Sequence, residues 1–314
     1  MNKSGLDQEI IAFIDTYLRV SDGMSVDAGI AAMRDNYEQI CRQFHHPRPD
    51  TITSFDSVVT GRHGNIPLRH YQYKGQTECP AQIVFIHGGG CVIGSLDSHD
   101  DICAELCHAS GLNAISIDYR LSPEHFHPVH LDDVADAFET CWHPNSILVG
   151  ISSGATLAAA LSHRLKNNTH HPAGQVLIYP ALGGDLLAAD VSGNHPQITS
   201  YIDNADAPLL STDEYLFYRG ARCAGNTLPV TDPEFYPLVA KHFSGLPPTI
   251  AFSADRDPLR DDAQVYVDKI LAAGGLAECF NETGLVHDYL RARHSSRRAG
   301  DSFRRICDAI VRLA

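Results

Sequence analysis

The sequence predicts an α/β fold, a mostly parallel sheet with helices on both faces, and three observations carry that expectation. Short apolar runs recur along the chain: Gln82-Ile83-Val84-Phe85-Ile86, Asn113-Ala114-Ile115-Ser116-Ile117, Ser146-Ile147-Leu148-Val149, Val176-Leu177-Ile178-Tyr179, Thr249-Ile250-Ala251-Phe252 and Ala277-Glu278-Cys279-Phe280. Most are apolar at successive positions rather than alternating, which suits strands buried on both faces. Helix-length segments lie between or after several of these runs, and glycine-containing turns follow two of them, at His87-Gly88-Gly89-Gly90 and at Gly150. Strand and helix in alternation mean parallel strands joined by crossovers.

Taken in order, residues 8–44 carry apolar side chains at helical spacing: Ile10, Ile11, Phe13, Ile14, Tyr17 and Leu18, then Ile30, Met33, Tyr37, Ile40 and Cys41. Two amphipathic helices are expected there, with Ser25 as N-cap of the second. His45-His46-Pro47-Arg48-Pro49 breaks the pattern, and strands follow. Helices are expected at Asp101 to Ser110, Ala155 to Leu165, Asp261 to Ala273 and Ser295 to Leu313. The stretch from Gly183 to Gly225 exceeds a normal connection and holds a helical patch at Thr212 to Tyr218, so it reads as an insertion over the sheet.

Composition narrows the function. The 314 residues are 44% hydrophobic and 20% charged, ordinary values for a folded chain. A net charge of −14 repels phosphate backbones and anionic lipid, so no nucleic acid or membrane partner is expected. No apolar run approaches the roughly 20 residues needed to span a bilayer, and the first residues lack the apolar stretch of a secretory signal. Nine cysteines without a Cys-x-x-Cys suit reduced thiols, and the expected location is cytoplasmic.

The sharpest motif is Gly150-Ile151-Ser152-Ser153-Gly154, a Gly-x-Ser-x-Gly where a strand should turn abruptly into a helix. Such a turn lifts the Ser152 hydroxyl above the sheet, and the glycines are needed because a Cβ there would strike neighbouring backbone. His87-Gly88-Gly89-Gly90 follows the strand ending at Ile86. Consecutive glycines can aim N–H groups at one point, which stabilises an oxyanion. Phosphate cradling is the weaker reading, since neither a P-loop Lys-Ser/Thr nor a dinucleotide fingerprint follows.

A serine of ordinary pKa needs a base, and the base needs an orienting carboxylate. After the run Thr249 to Phe252 come Asp255, Asp257, Asp261 and Asp262, which sequence proximity does not separate. After Ala277 to Phe280 comes Gly284-Leu285-Val286-His287. Both follow strand ends, where open α/β sheets place their sites, and the order Ser, Asp, His fits a hydrolase triad. The rival histidine, His294, sits in the basic run Arg291 to Arg298, read as a solvated face. Cys103, Cys107 and His108, and the histidines His125, His127 and His130, have no recognised zinc spacing, so no metal is expected.

With these residues assembled, the chain resembles the hormone-sensitive-lipase-like esterases of the α/β-hydrolase fold, especially bacterial acetyl-esterase-type members. The resemblance spans roughly residues 55 to 314. It rests on His87 to Gly90 with Val92-Ile93-Gly94-Ser95, on Asp118-Tyr119-Arg120-Leu121-Ser122-Pro123-Glu124-His125, on the Ser152 turn, on Asp257-Pro258-Leu259-Arg260-Asp261 and on Gly284-x-x-His287. It implies an eight-stranded sheet in two core parts, 46–185 and 226–314, with a helical cap from residues 1–45 and the insertion 186–225. It implies Ser152, Asp257 and His287 as the triad, and the N–H groups of Gly88, Gly89 and Ser153 as the oxyanion hole. His87 and the Asp118 to Glu124 segment would hold the loops behind the hole.

The sequence departs from the family pattern in carrying Ile151, Ser153 and Ala155 where Asp, Ala and Gly are usual. It also has Cys91 where an aromatic residue usually stands, and that change is expected to remove a bulky wall beside the acyl group. The expected activity is cofactor-free hydrolysis of a small-molecule ester with a short acyl group. A receptor on the same fold and an amidase or peptidase with the same triad are the alternatives. The sequence leaves a homodimer open.

Overall fold

The computed structural model describes residues 5–21, 29–75, 79–188, 198–223, 225 and 227–314. Eight strands form one sheet: β1 (Ile52–Gly61), β2 (Gly64–Tyr73), β3 (Gln82–Ile86), β4 (Asn113–Ile117), β5 (Ser146–Ile151), β6 (Gly174–Ile178), β7 (Thr249–Arg256) and β8 (Ala277–Val286). Their order is β1-β2-β4-β3-β5-β6-β7-β8. The first two strands form an antiparallel hairpin and β2 runs antiparallel to β4, while every later pairing is parallel.

The continuous apolar runs are explained by two separate cores. Along β3, Ile83 and Phe85 enter one apolar cluster, whereas Val84 and Ile86 enter the other. Along β5, Ile147, Val149 and Ile151 enter the first of these and Leu148 the second. Side chains alternate across a strand, so a sheet covered on both faces has no polar register to keep. One face is covered by α3 (Asp100–Ser110) and the C-terminal α10 (Arg297–Leu313). The other is covered by α4 (Val129–Thr140), α5 (Ser153–Leu165) and α9 (Arg260–Ala272).

Above the strand ends lie α1 (Gln8–Val20) and α2 (Ile30–Gln43), and from the long insertion α6 (Gly184–Ala188), α7 (Ser200–Asp203) and α8 (Thr212–Ala221). Asp7 caps α1 by accepting from the Ile10 N–H at 2.9 Å. Ser211 and Glu214 close α8 with a reciprocal capping box. Helix α2 starts after Gly29, and Ser25, the expected cap, lies outside the described residues. Met33, Tyr37 and Cys41 of α2 share an apolar cluster with Val92 and Ile93, against which Phe217 and Tyr218 of α8 pack. The N-terminal helices and the insertion therefore meet over the glycine loop.

Three features differ from the sequence reading. The β1–β2 hairpin and α4 carry no strong periodicity, because the hairpin is half exposed and α4 buries Asp132 and Asp133 against arginines. Strand β8 extends to Val286, well past Phe280. The basic run is a correction: Arg291 and Arg293 are buried, each paired to a carboxylate, and only part of the run faces solvent.

Candidate active site

Strand β5 ends at Ile151, and Ser152 takes φ 54° and ψ −119° before α5 begins at Ser153. That strained conformation is held because the Ser152 N–H donates to the Ile178 carbonyl at 2.9 Å. A Cβ on Gly150 would lie 2.4 Å from the Gly154 carbonyl oxygen, and one on Gly154 would lie 2.1 Å from the Ile86 oxygen. Both glycines of the motif are thus fixed by the approach of β3, β5 and α5.

The histidine and aspartate expected to serve Ser152 arrive from the ends of β8 and β7. His287 Nε2 is 3.0 Å from Ser152 Oγ, and His287 Nδ1 is 2.6 Å from Asp257 Oδ2. Asp257 is fully buried, and its other oxygen accepts from the Leu259 N–H at 2.9 Å. The four competing aspartates now separate. Asp255 accepts from the Gly284 N–H, Asp261 from the N–H groups of Thr199 and Ser200, and Asp262 from those of Leu182, Gly183 and Gly184. These three pin backbone; Asp257 reaches the imidazole. Burial alone would depress the His287 pKa, but the Asp257 charge and hydrogen bond, helped by Asp288 and Glu214, raise it above its ordinary value.

Gly88, Gly89 and Ser153 line the cavity beside Ser152. Among the described residues their N–H groups donate to no acceptor, as is usual for the first turn of a helix and unusual for a loop. Gly89 has φ 112°, and a Cβ there would meet the Ile93 carbonyl oxygen at 2.1 Å. The loop is held from behind. His87 stacks on Tyr119 with ring centroids 4.3 Å apart, and the Tyr119 hydroxyl donates to the His87 carbonyl at 2.9 Å. Burial pushes the His87 pKa down to about 4, so this ring is neutral. From α2, Arg34 donates to the carbonyls of Val92 and Ser122, both at 2.8 Å.

Cys91 requires a correction. Its side chain is fully buried in the core and is not among the residues lining the cavity, so it forms no part of an acyl wall. Its backbone matters instead: the Cys91 N–H donates to Ser153 Oγ at 3.2 Å, tying the glycine loop to the serine turn. The hydroxyl at 153, a departure from the family pattern, is what makes this bond.

The cavity is small, about 80 Å³, and is lined from above by Tyr17 and Tyr37 of the N-terminal helices and by Tyr215, Tyr218, Arg219 and Arg222 of the insertion. Sequence reasoning did not single these out, since tyrosines and arginines at helical spacing give no signal of which cavity they roof. His294 is exposed and bonded to Glu105, away from the serine. Cys103 and Cys107 are buried thiols of α3, while His127 bonds Asp232 and His130 bonds Ser122; among the described residues no three such groups converge as a metal site.

An eight-stranded sheet with a serine turn at β5, an aspartate after β7 and a histidine after β8 defines the α/β-hydrolase class. The model of that family, described as an alpha/beta hydrolase fold, matches residues 83–291. Over 307 residues the chain is 32% identical to Esterase LipI of Mycobacterium tuberculosis, covering 92% of this chain and 89% of the relative. It is 30% identical over 284 residues to Carboxylic ester hydrolase LipN of the same organism, covering 86% and 72%. The solved ester-hydrolase EH1AB1, from the metagenome of Lake Arreo, superposes with a TM-score of 0.86 at 26% identity and covers 98% of both chains. The chain belongs to the α/β-hydrolase family and, within it, to the hormone-sensitive-lipase-like esterases.

Proposed function

We propose that the chain is a serine carboxylesterase for small esters, with Ser152 as nucleophile, His287 as base and Asp257 as its orienter. The observation that carries this reading is the continuous relay from Asp257 through His287 to Ser152, at 2.6 and 3.0 Å, beside N–H groups of the glycine loop that have no acceptor among the described residues. Ser152 Oγ attacks the ester carbonyl as its proton passes to His287 Nε2. The N–H groups of Gly88, Gly89 and Ser153 receive the oxyanion. Collapse of the intermediate expels the alcohol, which takes the proton from Nε2 and leaves the acyl group on Ser152. Water then gives a proton to Nε2 as it attacks, and that proton returns to Oγ when the acid departs.

The N-terminal helices 1–45 and the insertion 186–225 act as a cap over the cores 46–185 and 226–314. The small cavity beneath it favours a short acyl group. An organophosphonate should label Ser152 alone by mass spectrometry, and Ser152→Ala should abolish hydrolysis of p-nitrophenyl acetate and butyrate. Labelling elsewhere with retained activity in that variant would refute the assignment. Across acyl chains from two to twelve carbons, kcat/KM should peak at the short end.

A further inference from the structure

We propose that the ester this site takes carries a carboxylate, received by the guanidinium of Arg222. The inference rests on the serine-esterase reading and names its substrate class. Arg222 follows α8, is 6% exposed, and lines the same cavity as Ser152 and His287. Its Nε and Nη2 are buried and donate to nothing among the described residues. Its contact is instead the face of Phe235, with Cζ 4.2 Å from the ring centroid.

Other buried arginines differ. Arg291 pairs with Asp288, and Arg293 pairs with Asp101 and Glu105. One turn before Arg222, Arg219 pairs with Asp185. Carboxylates on this side of the molecule are occupied: Asp185 by Arg219 and Tyr215, Asp232 by His127, Glu234 by Arg164. Asp288, the carboxylate among the described cavity-lining residues, belongs to Arg291. Nor do the nearby histidines compensate. His127 and His130 are both held below their ordinary pKa, chiefly by burial, with the Arg222 charge acting in the same direction.

A guanidinium stripped of water with unmet donors is costly to keep in a fold, and the cost is recovered when an anion with two in-plane oxygens arrives. A carboxylate fits that fork and a cavity of this size, and a monoanion suffers least from the protein's net charge of −14. The carboxylate can sit on the acyl side, as in a monoester of a short dicarboxylic acid, or on the alcohol side, as in an O-acetyl hydroxy acid. Hydrolysis in either case follows the serine steps above.

The test compares kcat/KM for matched pairs: mono-p-nitrophenyl glutarate against p-nitrophenyl pentanoate, and 3-acetoxybutanoate against its methyl ester. The wild-type protein should prefer the charged member of one pair. Arg222→Gln should lower kcat/KM for that member by about 10- to 100-fold, the range of a charge-assisted hydrogen bond. It should lower kcat/KM for the neutral member by a clearly smaller factor, and Arg222→Lys should restore part of the loss on the charged member. Competition supplies a readout without a variant: pentanoate should inhibit hydrolysis of p-nitrophenyl butyrate more strongly than the neutral pentanamide does. Neutral esters preferred in both pairs, or an equal loss on both members in Arg222→Gln, would overturn the proposal. Phosphonate labelling that misses Ser152, with no hydrolysis of any ester, would instead remove the esterase reading itself.

Discussion

His287 is where two opposing effects meet, and the balance between them is measurable. Burial lowers its affinity for a proton; Asp257, with Asp288 and Glu214 acting the same way, raises it further than burial lowers it. The imidazolium cannot accept the Ser152 proton, so kcat/KM should fall as pH drops through the histidine's pKa, with the midpoint above the ordinary value of about 6.5. Asp257→Asn removes the main opposing charge and leaves only Asp288 and Glu214 working against burial. The acid limb of the profile should then move to lower pH while turnover drops by about 10⁴. A limb that stays in place would show that Asp257 does not set this pKa. Cys91 gives a second expectation at this scale. Its thiol is fully buried and its pKa raised by that burial, so iodoacetamide should leave it unmodified in the native protein and leave activity intact.

Among the elements, the crossing of β3, β5 and α5 tolerates no added atom. Gly154→Ala would drive a methyl into the Ile86 carbonyl, and should cost about 3 kcal/mol or more of stability as read by urea unfolding. This part of the molecule was legible in the sequence, because strand burial on both faces writes unbroken apolar runs and the serine turn demands its two glycines. Other elements were not. The β1–β2 hairpin mixes polar and apolar residues on a half-exposed surface, and α4 buries acids whose partners lie elsewhere in the chain. Arg293 looked solvent-facing since its partners, Asp101 and Glu105, are 192 and 188 residues away. Asp257 could be chosen from its neighbours only through the family resemblance, as the distance to His287 that separates it is a tertiary fact.

That Arg293 cluster acts across the whole molecule, joining the segment after β8 to α3. Burial works against the charges of Asp101 and Glu105, yet Arg293, helped by Arg291 at Asp101 and by His294 at Glu105, more than offsets it, and both lie below the usual carboxylate range. Groups with depressed folded pKa values contribute stability above their unfolded pKa, near 4, and lose it as pH falls through the folded value. Arg293→Met would strand the buried Asp101 and unpair the half-buried Glu105, and should cost about 3–5 kcal/mol at neutral pH. Its stability should also decline less steeply than the wild type's between pH 5 and 3. Equal urea midpoints at pH 7 would show that the cluster is solvated in solution.

Arg291 extends the same logic toward the chemistry. It bonds Asp288, the neighbour of His287, and also the Tyr37 hydroxyl of α2 at 2.8 Å and the Ser98 carbonyl at 3.0 Å. The first helices are thereby wired to the loop that presents the imidazole, 254 residues further along the chain. A Tyr37→Phe variant should keep the circular dichroism of the folded sheet yet hydrolyse esters more slowly, because the loop that carries the imidazole loses one of its moorings.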